Sequence, residues 1–388
     1  MMDARIVGWG HSKFGRLEES FEDMVVSVVR EALDSSGLKA EDVDAIYLGH
    51  FNAGLVPDGF PSSMVLQADE GLRFKPATRC ENACASGSAA VYSARNAIRS
   101  GDARVVLVVG AEKMTSRDTA GVTESLGSAS YQKEEGGMSF PAIFGRVAGQ
   151  YFQEFGDHSE ELAMIAAKNH RHGLRNPLAH MQKDVGFDFC NNVSEKNPLI
   201  APPLRLTDCS LITDGAAAMV MVADDMEGDF THAIAFRAAA HVNDFLPMSR
   251  RNMTDFEGPR ESFRQAFEMA GVTHEDIDFA EVHDCFTIAE LLIYESIGLK
   301  PKGKGGEAIR EGLTELGGAL PINVSGGLKA KGHPVGATGV SMHVMSAMQL
   351  TGQAGEMQVE NAKLGCVFNM GGSGVANYCS VLENAKNS

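Results

Sequence analysis

Positive charge is what this chain is short of. Its 34 Lys and Arg stand against 51 Asp and Glu, a formal net charge of −17, which argues against nucleic acid and anionic membrane as general partners. An anionic ligand therefore needs a basic patch of its own. Long apolar runs are also missing. The longest, RVVLVVGA at 104–111, has the length of a strand and cannot span a bilayer. The opening MMDARIVGWG carries Asp3 and Arg5 with no apolar run behind them, so no secretory signal is expected, and the closing KNS is not a peroxisomal address. Seven cysteines without framework spacing suit a reducing compartment with free thiols, and a cytoplasmic location is expected. What is present is globular: 44% hydrophobic residues, 22% charged and 42 Gly in 388 residues. That length exceeds one ordinary core, so two domains or one duplicated architecture is expected.

The chain repeats itself. Phe21, Met24, Val25, Val28, Val29, Ala32 and Leu33 follow helical spacing, Gly37 sits where a C-cap belongs, and DVDAIYLGHF reads as a strand. Much later, Phe263, Ala266, Phe267 and Ala270 repeat the spacing, Gly271 ends it, and DIDFAEVHDCF follows. The pairs Ala32/Ala266, Gly37/Gly271, Glu41/Glu275, Asp42/Asp276 and Asp44/Asp278 share a constant offset of 234 residues. A further helix-then-strand pair follows in both copies: ENACASGSAAVYSARNAIRSG before ARVVLVVGAEKM, and NVSGGLKAKGHPVGATGVSMHVMSAM before KLGCVFNMGGSG. Alternating strands and helices predict an α/β fold of two halves with mainly parallel sheets covered on both faces. The expected division is 1–115 plus 213–230 for the N-terminal half and 231–388 for the C-terminal half. Residues 116–212, carrying His and Pro, are expected to form an inserted loop domain.

Four segments carry candidate chemistry. In RCENACASGSAA, Cys84 precedes small residues at a helix start, where backbone N–H groups and the helix dipole favour a thiolate and lower the thiol pKa. Gly87 and its small neighbours would let a bulky substrate approach. The plain alternative is an inert buried cysteine; Cys80 reads as structural. In GGLKAKGHPVGATG, His333 lies between Gly332 and Pro334, a constrained setting that suits a fixed base, or else a hydrogen-bonded turn histidine. In EVHDCF, His283 and Cys285 share one face at a strand end and Asp284 takes the other. A zinc site of His283, Cys285, Cys80 and Cys84 lacks Cys-x-x-Cys spacing, and no metal is expected. FNMGGSG at 368–374 offers free N–H groups for an oxyanion hole, or is simply a tight turn.

Together NACASGS, GAEKM, SLITDGAAA, HDCF and GHPVGATG, in this order over nearly the whole chain, resemble the thiolase superfamily, and within it the sterol-carrier-protein-2 type of thiolase. The resemblance implies a layered αβαβα thiolase fold of two βαβαβ-type halves and a cysteine acyltransferase acting on CoA thioesters. Most thiolases carry Asn-Glu-Ala-Phe where this chain has HDCF, and a Cys-x-Gly near the end. Here Asn369 occupies the second-cysteine position, Gly371 the glycine, and Cys366 is out of register.

Cys285 is then implied as the second thiol, His333 as the base for Cys84, and His283 as a group polarising the thioester oxygen. Backbone groups of Cys84, Asn369 and Gly371 would complete the oxyanion holes. Coenzyme A enters as a substrate, with no covalently bound cofactor. Lys168, Arg171 and Arg175 of KNHRHGLR, with Ser325 and Gly326, are the expected CoA contacts; a solvated helix face is the alternative reading of that basic segment. GGMSFPAIFGRVAGQYF reads as an acyl-pocket lining or dimer contact. The resemblance also implies a homodimer or a dimer of dimers, with a small OB-fold, zinc-containing companion subunit as an optional partner. Competing functions are a decarboxylating ketosynthase, using Cys84, His283 and His333, and a thiolase-like subunit that binds acyl-CoA and acts only with a partner.

Overall fold

The two copies of the repeat fold alike. In the computed structural model, which describes residues 2–387, the helix Phe21–Ser36 buries all seven apolar positions read from its spacing and ends at Gly37 with φ 73°. Its counterpart Glu257–Ala270 ends at Gly271 with φ 67°, the left-handed conformation that glycine adopts without strain. A 3-10 turn follows each helix, Ala40–Asp42 and His274–Asp276.

The strands are β1 (Ala4–His11), β2 (Ala45–Gly49), β3 (Ala77–Cys80), β4 (Val105–Glu112), β5 (Leu199–Ala201), β6 (Leu204–Arg205), β7 (Gly215–Ala223), β8 (Ile234–Asn243), β9 (Phe279–Val282), β10 (Leu364–Gly371) and β11 (Ala376–Asn384). All but the β5–β6 pair join one sheet in the order β3-β2-β4-β7-β1-β8-β11-β10-β9. Counted outwards from the middle, β1-β7-β4-β2-β3 mirrors β8-β11-β10-β9, and a parallel bridge from Ala280 to Ile322 marks the missing fifth place. Among the described residues, the sheet is continuous across the halves through two ladder pairs, Arg5 with Ala235 and Ile6 with Ile234. The repeated aspartates explain themselves: Asp44 accepts the N–H groups of Arg104 and Val105, and Asp278 those of Lys363 and Leu364. Each fastens its turn to the start of a central strand.

The expectation of mainly parallel sheets is corrected. β2–β3, β2–β4 and β9–β10 are parallel, while β4–β7, β7–β1, β1–β8, β8–β11 and β11–β10 are antiparallel. The tight turn 372–375 can join β10 to β11 only as a hairpin. The long segment 116–212 carries no crossover helix back onto the sheet face, and β7 returns antiparallel. The helices Ser86–Ser100 and Thr338–Leu350 pack together between the two halves, and the second is buried on every side. Phe21–Ser36 covers one outer face and Glu257–Ala270 the other, giving the αβαβα layers.

Segment 116–212 holds a small apolar cluster of Ala163, Ala166, Ala167 and Cys190, and packs more widely against the rest of the chain. Its helices Phe140–Phe155 and Ser159–Leu174 share one apolar cluster with the C-terminal half, and Phe144 stacks on Phe286 at 4.5 Å between centroids. Buried Asp214 ties the segment's two ends, accepting from the Leu17, Met114 and Thr115 N–H groups and from the Lys113 ammonium. Among the described residues no helix is long and apolar enough to cross a membrane.

Candidate active site

The chain leaves β3 and turns sharply through 81–85 before the helix Ser86–Ser100. Ala83 takes φ 50°, and the Ser86 hydroxyl holds the turn by accepting the Asn82 N–H at 2.9 Å and donating to the Ala83 carbonyl at 2.6 Å. Ala85, at the N-cap, offers no side-chain acceptor, so no side chain caps the helix start, although the Ser86 N–H donates to the Ala83 carbonyl. Cys84 stands beside the helix start, half-buried. Its pKa is not as expected: burial pushes the thiol up to about 12, against the pull of the Gly372 and Cys84 N–H groups, and Glu112 adds to the rise. The thiolate expectation is corrected because losing water costs the anion more than the helix end and two donors return.

Gly87 also serves a purpose other than the one expected. A Cβ there would lie 2.8 Å from the Gly336 carbonyl oxygen and 2.9 Å from the Gly339 nitrogen, so its bareness lets the Cys84 helix touch the His333 loop rather than admitting substrate. That loop is fixed from beneath by Glu112. The buried carboxylate accepts the N–H groups of Phe51, Asn52 and Gly336 at 2.9–3.0 Å. His333 Nδ1 meets the Thr338 hydroxyl at 2.7 Å, and that hydroxyl donates its one hydrogen to the Pro334 carbonyl at 2.9 Å. In that arrangement Thr338 accepts from the ring, Nδ1 carries the hydrogen, and Nε2 presents a bare lone pair. Burial, with Lys331 adding, lowers His333 to about 3. The ring is neutral, with Nε2 free of any hydrogen-bond partner.

His283 and Cys285 follow β9. His283 Nδ1 lies 2.9 Å from Asn369 Nδ2, and burial holds this imidazole neutral as well, its pKa well below the usual value. The His283 and His333 rings meet edge to face at 5.1 Å between centroids. Cys84 Sγ and one nitrogen of each ring all lie within 4.8 Å of one another. Neither Nε2 has a hydrogen-bond partner. A cavity of about 320 Å³, walled mainly by apolar side chains, has Cys84, His333 and Cys285 on its surface. Burial keeps the Cys285 thiol protonated, its pKa well above the usual value. Asp284 turns away and accepts from Asn169 and from the Leu328 and Lys329 N–H groups; burial, then Glu290, raises it to about 7. Ser139, Phe140 and Pro141 line the cavity, while Ile143, Phe144 and Val147 lie in the core.

Three expected CoA contacts are corrected. The Lys168 ammonium is wholly buried between Glu290, Tyr294 and the Ile322 carbonyl. Ser325 gives its N–H and hydroxyl to Glu281, and Gly326 lies against Gly173. The polar face of helix Ser159–Leu174 docks onto the C-terminal half instead of facing water, which helical spacing alone does not reveal. Arg171 reaches the surface but pairs with Glu315 at 2.5 Å, and Arg175 is exposed. Gly371 closes the ladder opposite Ala376, and a Cβ there would lie 2.2 Å from the Asn82 carbonyl oxygen. The N–H at the Cys84 sulfur belongs to Gly372, where the strand has ended and its N–H is released from the ladder. Cys80 bonds Ser93 and stands outside the trio.

Sequence reasoning missed Thr338, Glu112 and Gly372. Glu112 had a signal: a lone charge closing the apolar strand RVVLVVGA predicts a buried, fully bonded carboxylate.

Comparisons with known proteins give the family. Residues 4–225 match the family model "Thiolase, N-terminal domain" and residues 239–384 "Thiolase C-terminal domain-like". The chain is 38% identical over 379 residues to an acetyl-CoA acetyltransferase of Methanothermobacter thermautotrophicus, covering 96% of this chain and 97% of that one. Sterol carrier protein 2 of Oryctolagus cuniculus is 32% identical over 96% of this chain and 70% of its own length. The solved Ltp2-ChsH2(DUF35) aldolase shares the fold, with a TM-score of 0.85 at 23% identity over 98% of each chain. With both halves matched in order and the relatives covering nearly the whole sequence, the chain belongs to the thiolase family and is an acyltransferase of its sterol-carrier-protein-2 type.

Proposed function

We propose that the protein cleaves a 3-oxoacyl-CoA with CoA to an acyl-CoA and acetyl-CoA, or runs the reverse Claisen condensation, through an acyl-enzyme on Cys84. The observation that carries this reading is the meeting of Cys84, His283 and His333 within 4.8 Å at a cavity whose wall also holds Cys285. The bare Nε2 of His333 takes the Cys84 proton as the sulfur attacks the 3-keto carbon. His283, with the N–H groups of Cys84 and Gly372, steadies the oxygen that gains charge. The bond between the second and third carbons then breaks, and the acetyl-CoA enolate takes its proton from Cys285. Free CoA gives its proton to the Cys285 thiolate and attacks the acyl-enzyme, while His333 returns a proton to Cys84 as the acyl group departs. A neutral thiol beside a neutral imidazole fits this order, because the proton moves as the bond forms. The name of the archaeal relative, acetyl-CoA acetyltransferase, supports CoA as the carrier.

The same trio would serve decarboxylating condensation, and Cys285 on the cavity wall favours thiolysis over it. A docked OB-fold companion belongs to this reading, supported by the likeness to the Ltp2-ChsH2(DUF35) aldolase, as does a homodimer or dimer of dimers in the cytoplasm. Arg175, exposed at the end of its helix, is what remains of the basic cluster as a phosphate contact.

Thiolysis of a 3-oxoacyl-CoA panel, alone and with a co-expressed companion, tests the whole, with intact-mass detection of the acyl-enzyme. Cys84→Ala should abolish both turnover and the mass shift. Cys285→Ala should still load an acyl group from acyl-CoA yet lose carbon–carbon cleavage by about 10²–10⁴-fold. Full activity in Cys84→Ala refutes the mechanism, and malonyl-CoA-dependent condensation surviving Cys285→Ala favours the ketosynthase.

A further inference from the structure

The catalytic pair of imidazoles poses a problem that hydrogen-bond bookkeeping answers. A neutral ring carries one hydrogen on either of two nitrogens, and its surroundings decide which. With the Thr338 hydroxyl donating to the Pro334 carbonyl, His333 holds its hydrogen on Nδ1 and its Nε2 is left as a base. A donor for the substrate oxygen is still needed, and if His283 held its hydrogen on Nδ1 the site would contain two bases and no imidazole N–H. We infer that Asn369 is a positioning residue that fixes His283 in the opposite tautomer, with its hydrogen on Nε2 facing the thioester.

Asn369 is wholly buried on β10 and every polar site on it is engaged. Its Oδ1 accepts from the Ser88 hydroxyl at 2.8 Å. Its Nδ2 donates to the Cys84 carbonyl at 3.2 Å and faces His283 Nδ1 at 2.9 Å. The amide cannot be turned over, because its oxygen would then confront the Cys84 carbonyl, which only accepts. With Nδ2 as donor on that side, His283 Nδ1 must accept, and the ring hydrogen is left on Nε2. Gly339 clears the space: a Cβ there would lie 2.6 Å from Asn369 Oδ1 and 2.4 Å from the Ser88 hydroxyl oxygen. The anchor also runs through the Cys84 carbonyl, so the residue that sets the donor is registered to the nucleophile's own backbone. One consequence concerns metals. Cys84, His283 and His333 stand close enough together to suggest a tridentate site, but a His283 Nε2 that bears hydrogen has no lone pair to give.

The inference rests on the proposed thiolase mechanism for its effect on rate, though not for the tautomer itself. Asn369→Asp keeps the shape but replaces the donor by an acceptor, which pulls the His283 hydrogen to Nδ1. With the donor lost, kcat should fall about 10²–10³-fold with KM nearly unchanged. In a His283→Gln background, where the side-chain amide donates whatever stands at 369, the same substitution should cost less than about threefold. An equal loss in both backgrounds would make Asn369 merely structural and overturn the inference. A second measurement needs no folded variant at position 369. Nitrogen-15 spectra of wild-type protein labelled in histidine, with the His283 signals assigned by their loss in His283→Gln, should show Nε2 protonated and Nδ1 bare. A hydrogen on Nδ1 overturns the inference even if Cys84 acylates normally. Absent acylation with the expected spectrum sinks the reaction and leaves the tautomer standing.

Discussion

Replacing Gly87 by Ala adds a single methyl group at the seam between the nucleophile's helix and the base's loop. The new carbon would lie 2.8 Å from the Gly336 oxygen and 2.9 Å from the Gly339 and Val340 nitrogens. All three are backbone atoms, so no side chain can swing aside. Ordinary contact requires the two elements to part by roughly half an ångström. Overpacking of this kind costs about 1–3 kcal/mol, offset by the ~0.5–1 kcal/mol that alanine gains over glycine inside a helix. The parting also draws Cys84 away from His333, and near-ångström errors in reacting groups cost on the order of 10²-fold in rate. A fall in kcat of about ten- to a hundredfold, with a modest loss in melting temperature, is therefore expected from steady-state thiolysis and thermal unfolding. Gly149→Ala is the matched control. It lies in the helix Phe140–Phe155 with nothing within 4 Å of its added carbon, so it should stabilise by ~0.5–1 kcal/mol and leave kcat alone. Wild-type turnover and melting in Gly87→Ala would refute the claim that this glycine sets the spacing.

Two further outcomes follow from the buried site. A Cys84 thiol with its pKa near 12 holds little thiolate at neutral pH, and the thiolate fraction grows as protons are removed. Inactivation by iodoacetamide should therefore quicken about tenfold per pH unit between 7 and 9, whereas a plateau from pH 6 upward would reveal an imidazolium–thiolate pair. Lys168→Met strands Glu290 in the core and should destabilise the protein by on the order of 3 kcal/mol in denaturant titration. Its KM for CoA should stay at the wild-type value, and a large rise would restore the lysine as a phosphate contact.

The repeat was legible because it rests on local rules. Gly37 and Gly271 end helices in a conformation glycine favours, and Asp44 and Asp278 recur because each must cap a turn against the same strand start. The segments bearing Cys84, His283, Cys285 and His333 were legible too, since reactive side chains in small-residue loops after strands stand out from a core-forming background. Strand direction beyond the first three elements was not, because it depends on how a long connection returns. Nor was the fate of Lys168: spacing shows that a helix has a polar face, not that Glu290 waits opposite it.

Amino-acid order alone thus determined the duplication, the helix ends and the residue types available for chemistry, all of them set by neighbours within a few positions. Tertiary structure decided the rest: that Cys84 rests as a thiol, that Thr338 and Asn369 face the two imidazoles, and that Gly372 rather than Gly371 points at the sulfur. Protonation and tautomer depend on which distant groups exclude water and which atoms they aim, and those contacts exist only once both halves have closed around one site.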